Sequence, residues 1–155
     1  MLWIITSVLI IILDQITKWQ VAQNIQPGSA IEVIPSFFYV TNYSNTGAAW
    51  SILQNQRIFL TIVPSIVVII IGYFFFTTKD RLLRFPLACI LGGAMGNLID
   101  RMIKGSVTDF LEFHFGTYVF PIFNVADSFV VIGSILLCIV MLWMSKKSPA
   151  ADKIE

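Results

Sequence analysis

Long apolar runs broken by single polar residues dominate the chain. From Ile58 to Phe76 no charged residue occurs, and at 1.5 Å per residue a helix of that length approaches the ~20 residues that cross a hydrocarbon core. Three further runs carry polar interruptions: Leu2 to about Val21, Leu82 to about Ile103, and about Phe123 to Met144. The pattern predicts four transmembrane helices, about 2–21, 58–76, 82–103 and 123–144, packed as one membrane domain over residues 1–155. Between the first two runs the pattern changes. Ile31-Glu32-Val33-Ile34 and Phe37-Phe38-Tyr39-Val40-Thr41 are β-branched and aromatic, and Pro27-Gly28 and Pro35-Ser36 punctuate them as turns, so short strands are expected there. The expected fold is an all-α membrane protein with four spans, a small β-sheet outside the membrane, and a short outer loop or helix before the fourth span.

Composition agrees with the spans. Hydrophobic residues make up 57% of the chain and charged residues 12%, with a mean hydropathy of +0.82, far from a soluble domain. The first run lacks a basic leading region and a small-residue cleavage site, so it is expected to be a retained helix, not a removed leader. A formal net charge of +1 offers no signal for nucleic acid. Basic residues gather instead at membrane edges: Lys79, Arg81 and Arg84 in the second connection, and Lys146, Lys147 and Lys153 after the fourth run. By the positive-inside rule both regions, and both termini, face the cytoplasm. The first connection (about Gln23 to Gln56) and the third (about Lys104 to Ile122) then face outward, with the aromatic strands lying on the outer leaflet. Arg57, Arg101 and Lys104 reduce this asymmetry without reversing it.

Polar groups inside spans are costly and turn toward the bundle interior. Asp14 and Lys18, four apart, share a helix face and can neutralise each other, a structural explanation of both. In Gly92-Gly93-Ala94-Met95-Gly96-Asn97-Leu98-Ile99-Asp100-Arg101, Gly92 and Gly96 have the small-xxx-small spacing that admits a neighbouring helix. Gly93, Asn97 and Arg101 fall on one stripe, placing an amide and a guanidinium where both can donate to carboxylates or carbonyls. Asn124, Asp127 and Ser128 share a face at the start of the fourth run. Asp127 there has a structural explanation as an acid in a helix's first turn. The case for chemistry is its combination with Asp109, with Asn45 in Asn45-Thr46-Gly47-Ala48-Ala49-Trp50, and with the Asn97/Arg101 stripe, all on the outer side.

Other groups point nowhere in particular. His114 is the chain's only histidine, and beside Asp109 and Glu112 it lacks the ligand spacing of a metal motif; it is expected in a loop. Cys89 and Cys138 lie in or near spans and behave as small apolar residues. A proton-coupled transporter would place acids along a path across the membrane and show internal repeats; here the acids gather on one side. An assembly protein whose polar residues only hold helices together is the remaining alternative.

The blocks Asn45-Thr46-Gly47-Ala48-Ala49-Trp50, Gly92 to Arg101, Val107-Thr108-Asp109-Phe110 and Phe123-Asn124-Val125-Ala126-Asp127-Ser128, preceded by Asp14-Gln15-Ile16-Thr17-Lys18, resemble those of lipoprotein signal peptidase, the bacterial signal peptidase II family, in the family's order and over nearly the whole chain. The resemblance implies a multi-pass enzyme of the bacterial cytoplasmic membrane. It would be an aspartic endopeptidase that cuts diacylglyceryl-modified prolipoproteins just before the lipidated cysteine, near the outer leaflet. It further implies Asp109 and Asp127 as the catalytic pair. Asp14, Lys18, Asn45, Gly47, Asn97, Arg101, Asn124 and Ala126 would support them, and Ala48, in the small-residue Gly47-Ala48-Ala49 turn, would lie against the substrate backbone. No metal or other cofactor, and no nucleic acid, is expected; membrane lipids and prolipoproteins are the expected partners of a monomer. Two departures stand out: Thr108 replaces a valine usual before the first aspartate, and Tyr43-Ser44 replaces a more usual basic or histidine residue before Asn45.

Overall fold

The computed structural model describes residues 2–47 and 56–147. Four helices, α1 (Leu2–Asn24), α2 (Arg57–Thr77), α3 (Arg81–Lys104) and α4 (Val125–Lys147), are each long and apolar enough to cross a membrane. Half of the apolar stretch of α3 is buried, against 22% for α1 and 11% for each of α2 and α4. Hence α3 is the hub, and the other three pack around it with their remaining faces toward lipid. That role explains its composition: a helix enclosed by neighbours gains from small residues that let backbones approach. A β-carbon on Gly92 would lie 2.9 Å from Ile10 Cβ of α1, and one on Gly93 would collide with the Ala126 carbonyl of α4. The expected Gly92/Gly96 pair therefore faces α1, while Gly93 opens the other side for α4.

A four-stranded antiparallel sheet in the order β1-β2-β3-β4 caps one end of the bundle. Its strands are β1 (Ala30–Ile34), β2 (Phe38–Asn45), β3 (Val107–Phe115) and β4 (Tyr118–Val119). The first connection supplies two strands where the sequence led one to expect them. The third connection, expected as a short loop or helix, supplies the other two: its alternation of Phe110, Glu112 and His114 with Leu111 and Phe113 is strand-like, and β2 is present to pair with it. His114 accordingly sits in β3, with Nε2 2.7 Å from Glu112 Oε1, and not in a loop. Val21 and Ile25 at the end of α1 pack on Phe110, with Val40 and Leu111 around them, which seats the sheet on the bundle.

The fourth helix begins at Val125, two residues after the Phe123 expected from hydropathy. Phe123 is apolar because it belongs to the sheet: it bridges Leu111, stacks on Phe113, and leaves Asn124 to start the helix. The ends of α1 and α3 and the starts of α2 and α4 all lie at the sheet's end of the bundle, so the described termini share the opposite end.

Close packing at Gly93 generates a test. Gly93→Val should destabilise the folded protein by roughly 1–3 kcal/mol through overpacking, read from thermal unfolding in detergent. Gly72→Ala, where an added β-carbon meets nothing within 4 Å, should stay within about 0.5 kcal/mol of the parent.

Candidate active site

Chain geometry delivers two carboxylates to the junction of bundle and sheet. Helix α3 ends at Gly105, whose left-handed backbone (φ 80°) suits a residue without a β-carbon and turns the chain into β3. Four residues later Asp109 stands opposite Tyr43 of β2. After β4 the chain returns through the Phe123 bridge and enters α4, whose first turn carries Asp127.

Asn124 precedes that helix and caps it. Its Oδ1 accepts the Asp127 backbone N–H at 2.9 Å, and Asp127 Oδ2 accepts the Asn124 backbone N–H at 3.2 Å, a reciprocal box that satisfies two donors at the helix start. The capping explanation of Asp127 is thus correct but incomplete. Its other oxygen, Oδ1, accepts from Asn97 Nδ2 at 2.7 Å. Asn124 Nδ2 in turn donates to Asp109 Oδ1 at 2.6 Å and to Asn97 Oδ1 at 3.1 Å. Asn124 therefore meets both carboxylates, Asp127 through its backbone N–H and Asp109 through its side-chain Nδ2.

Asp109 is 2% exposed, and its Oδ2 accepts from Asn45 Nδ2 at 2.8 Å. Asn45 Oδ1 accepts the Gly47 N–H at 2.8 Å, and Arg101 donates to the Gly47 carbonyl at 3.4 Å. Asn45, Gly47 and Arg101 are thus parts of one strut between β2 and α3. Ala48 lies outside the described residues. Burial, and then the negative charge of Asp127, push the Asp109 carboxyl up to about 7; the hydrogen bonds from Asn45 and Asn124 and the Lys18 charge act in the opposite direction. At neutral pH such a carboxyl is part protonated, and neighbouring acids titrate as a pair.

Both carboxylates line a cavity of about 850 Å³, with Asn45, Asn97 and Arg101 on its polar side and Phe120 to Phe123 and Val130 to Ile132 among its apolar walls. An apolar cleft with a few convergent polar groups has the form of a ligand site. Arg101 is placed where the charges of Asp127, Asp109 and Asp100 all act on it.

The Asp14–Lys18 couple is present, with Nζ 2.8 Å from Asp14 Oδ2, and both side chains are fully buried. It is not a couple alone. Lys18 Nζ also reaches Asp100 Oδ2 at 3.1 Å and donates to Asn97 Oδ1 at 2.8 Å. Ala126, fully buried, serves through its backbone: its N–H donates to Asp14 Oδ1 at 2.9 Å. Asp100 was the residue missed by sequence reasoning, which quoted it in a block and gave it no role. Its signal was a carboxylate inside an apolar span, three residues after Asn97 and four before Lys104. Phe120 and Val130 of the cavity wall were missed because nothing in an apolar or aromatic residue distinguishes a cleft wall from a lipid-facing one; Tyr43, marked in the sequence only as a departure before Asn45, lines the cavity with them.

Residues 6–143 match the model of the family described as Signal peptidase (SPase) II. The chain is 45% identical over 150 residues to the lipoprotein signal peptidase of Bacillus pumilus (strain SAFR-032), covering 96% of this chain and 97% of that one. It is 44% identical over 149 residues to that of Bacillus subtilis (strain 168), covering 95% and 97%. A bacterial membrane enzyme solved by the in meso method at 2.3 Å resolution superposes with a TM-score of 0.86 at 38% identity, over 95% of this chain and 92% of that one. A second, solved by the same method at 1.9 Å, gives 0.81 at 39% identity over 90% and 92%. With a match across almost its whole length, the same four-span architecture and a carboxylate-lined cleft, the chain belongs to the signal peptidase II family, membrane aspartic peptidases that process prolipoproteins.

Proposed function

We propose that Asp109 and Asp127 are the catalytic pair with which this chain removes the signal peptide from diacylglyceryl-modified prolipoproteins, cutting just before the lipidated cysteine. The observation that carries this reading is that the two carboxylates line one largely apolar cavity and are both held by Asn124, Asp109 by its Nδ2 and Asp127 by its backbone N–H. Two acids so placed hold one proton between them. The ionised member removes a proton from water as it attacks the scissile carbonyl; the protonated member donates to the carbonyl oxygen, and the leaving amine is protonated as the tetrahedral intermediate collapses. Asn45, Asn97 and Asn124 donate to the carboxylates and fix their orientation, while Arg101 offsets the charge of the singly ionised pair. The mechanism uses neither metal nor cofactor.

The cleft's apolar walls suit a signal-peptide segment and acyl chains arriving sideways through lipid. Lys79, Arg81, Arg84 and Lys146 lie at the bundle end remote from the sheet. By the positive-inside rule that end is cytoplasmic, which puts both termini inside, the sheet outside and the cleft near the outer leaflet of the bacterial cytoplasmic membrane. A monomer forming a single domain completes this reading.

Cleavage of a lipidated prolipoprotein in detergent or liposomes tests the pair. Asp109→Asn and Asp127→Asn, each recovered folded, should lose roughly 10²- to 10⁴-fold or more in kcat; parental turnover by either variant would refute the assignment, and loss of activity to a chelator would refute the metal-free mechanism.

The raised Asp109 carboxyl sets the pH behaviour. Activity requires the shared proton, so kcat should decline on the alkaline side of about pH 7 as the pair becomes doubly ionised. Asn45→Ala removes a hydrogen bond that favours the ionised carboxylate, so the alkaline limb should move to higher pH; a shift to lower pH contradicts the assigned hydrogen bond. Stability follows the same sign. Folding raises the carboxyl above its ordinary value, so its contribution is greatest at acid pH and is lost as pH rises from about 4 to about 7.

A further inference from the structure

Outside the cavity, the bundle holds a second charged cluster that the chemistry just described leaves unused. Asp14, Lys18 and Asp100 are each 0% exposed, at the contact of α1 with α3. An ammonium has three N–H donors, and Lys18 spends them on Asp14 Oδ2 (2.8 Å), Asp100 Oδ2 (3.1 Å) and Asn97 Oδ1 (2.8 Å). The amide of Asn97 thereby has one orientation. With its oxygen turned to Lys18, its Nδ2 faces Asp127 Oδ1; reversed, an NH₂ would face an ammonium, donor against donor, and the amide oxygen would face a carboxylate.

The two carboxylates that hold Lys18 have free lone pairs, and each uses one on the main chain. Asp14 Oδ1 accepts the N–H of Ala126, one residue before Asp127. Asp100 Oδ2 accepts the N–H of Thr108, one residue before Asp109, at 3.3 Å. At the surface, Lys104 Nζ lies 3.0 Å from Asp100 Oδ1 with its side chain 44% exposed, an ion pair whose alignment falls short of a hydrogen bond. Asp14, Lys18, Asp100 and Lys104 together carry two formal positive and two formal negative charges, so the cluster is neutral.

We infer that Asp100, with Lys18, is a positioning residue for the catalytic pair: the Asp14–Lys18–Asp100 cluster clamps the backbone immediately before each catalytic aspartate and so sets the distance between the two carboxyls. The inference rests on the assignment of Asp109 and Asp127 as the pair. A clamp of this kind acts on the reacting geometry and not on the cavity walls, so it governs kcat and leaves substrate affinity alone.

Asp100→Asn, isosteric with the parent, is the variant to measure, with cleavage of a lipidated prolipoprotein normalised to folded enzyme by size-exclusion profile and thermal unfolding. Its kcat should fall about 10- to 100-fold with KM within about threefold, because small displacements of reacting groups cost on that scale. A parental kcat per folded molecule, or a loss confined to KM, overturns the inference while leaving the pair intact; an active Asp109→Asn or Asp127→Asn in the same assay removes the pair itself. Should Asp100→Asn not fold, Lys104→Met carries the test. It loosens only the outer oxygen of Asp100, and should lower kcat about two- to fivefold at unchanged KM; parental kcat there overturns the inference as well.

Discussion

An ammonium group buried in a membrane bundle can persist only if every one of its donors is met, and the Lys18 side chain organises the protein around that requirement. Effective desolvation of an ion costs several kcal/mol even after relaxation, so its partners cannot be spared. They come from α1 itself, through Asp14, and from α3, through Asn97 and Asp100. The contact fixes the two helices in register, and because Asp14 and Asp100 also accept main-chain N–H groups next to the two site aspartates, the same constraint reaches α4 and β3.

Small residues make that arrangement sterically possible. Gly92 and Gly96 admit α1, with Asp14 itself packed against Gly96, and Gly93 admits the first turn of α4. Where α4 runs on toward its other end, Gly133 lies close to the Pro86 carbonyl and Cys89. Without a hydrophobic drive between helices in lipid, close backbone approach and satisfied polar contacts carry the association. Both are concentrated on α3, which is why half of its apolar stretch is covered while α2, packed mainly through Phe75 and its neighbours, keeps most of its surface toward lipid.

The site also shows that structural and chemical duties need not compete. Asp127 caps its own helix with one oxygen and accepts from Asn97 with the other. Asn124 caps the same helix and donates to Asp109. Both oxygens of Asp109 and both of Asp127 accept a hydrogen bond, so the two side chains have few alternative orientations.

Hydropathy by itself determined the four spans, because lipid demands about twenty apolar residues from every helix that crosses it, and the β-branched and aromatic run before Asn45 determined the first two strands. Asp109, Asp127 and their asparagines were legible as anomalies, since a carboxylate beside a span needs a partner. Only tertiary structure decided that the third connection is strand, for its residues pair with partners 62 to 75 positions away in β2, whichever way the local pattern leans. It alone moved Phe123 from helix to sheet and put Asp100 beside Lys18. One-dimensional periodicity records which face a residue occupies, but charges are partnered across helices, and the identity of the group on the facing helix is written nowhere in the local sequence.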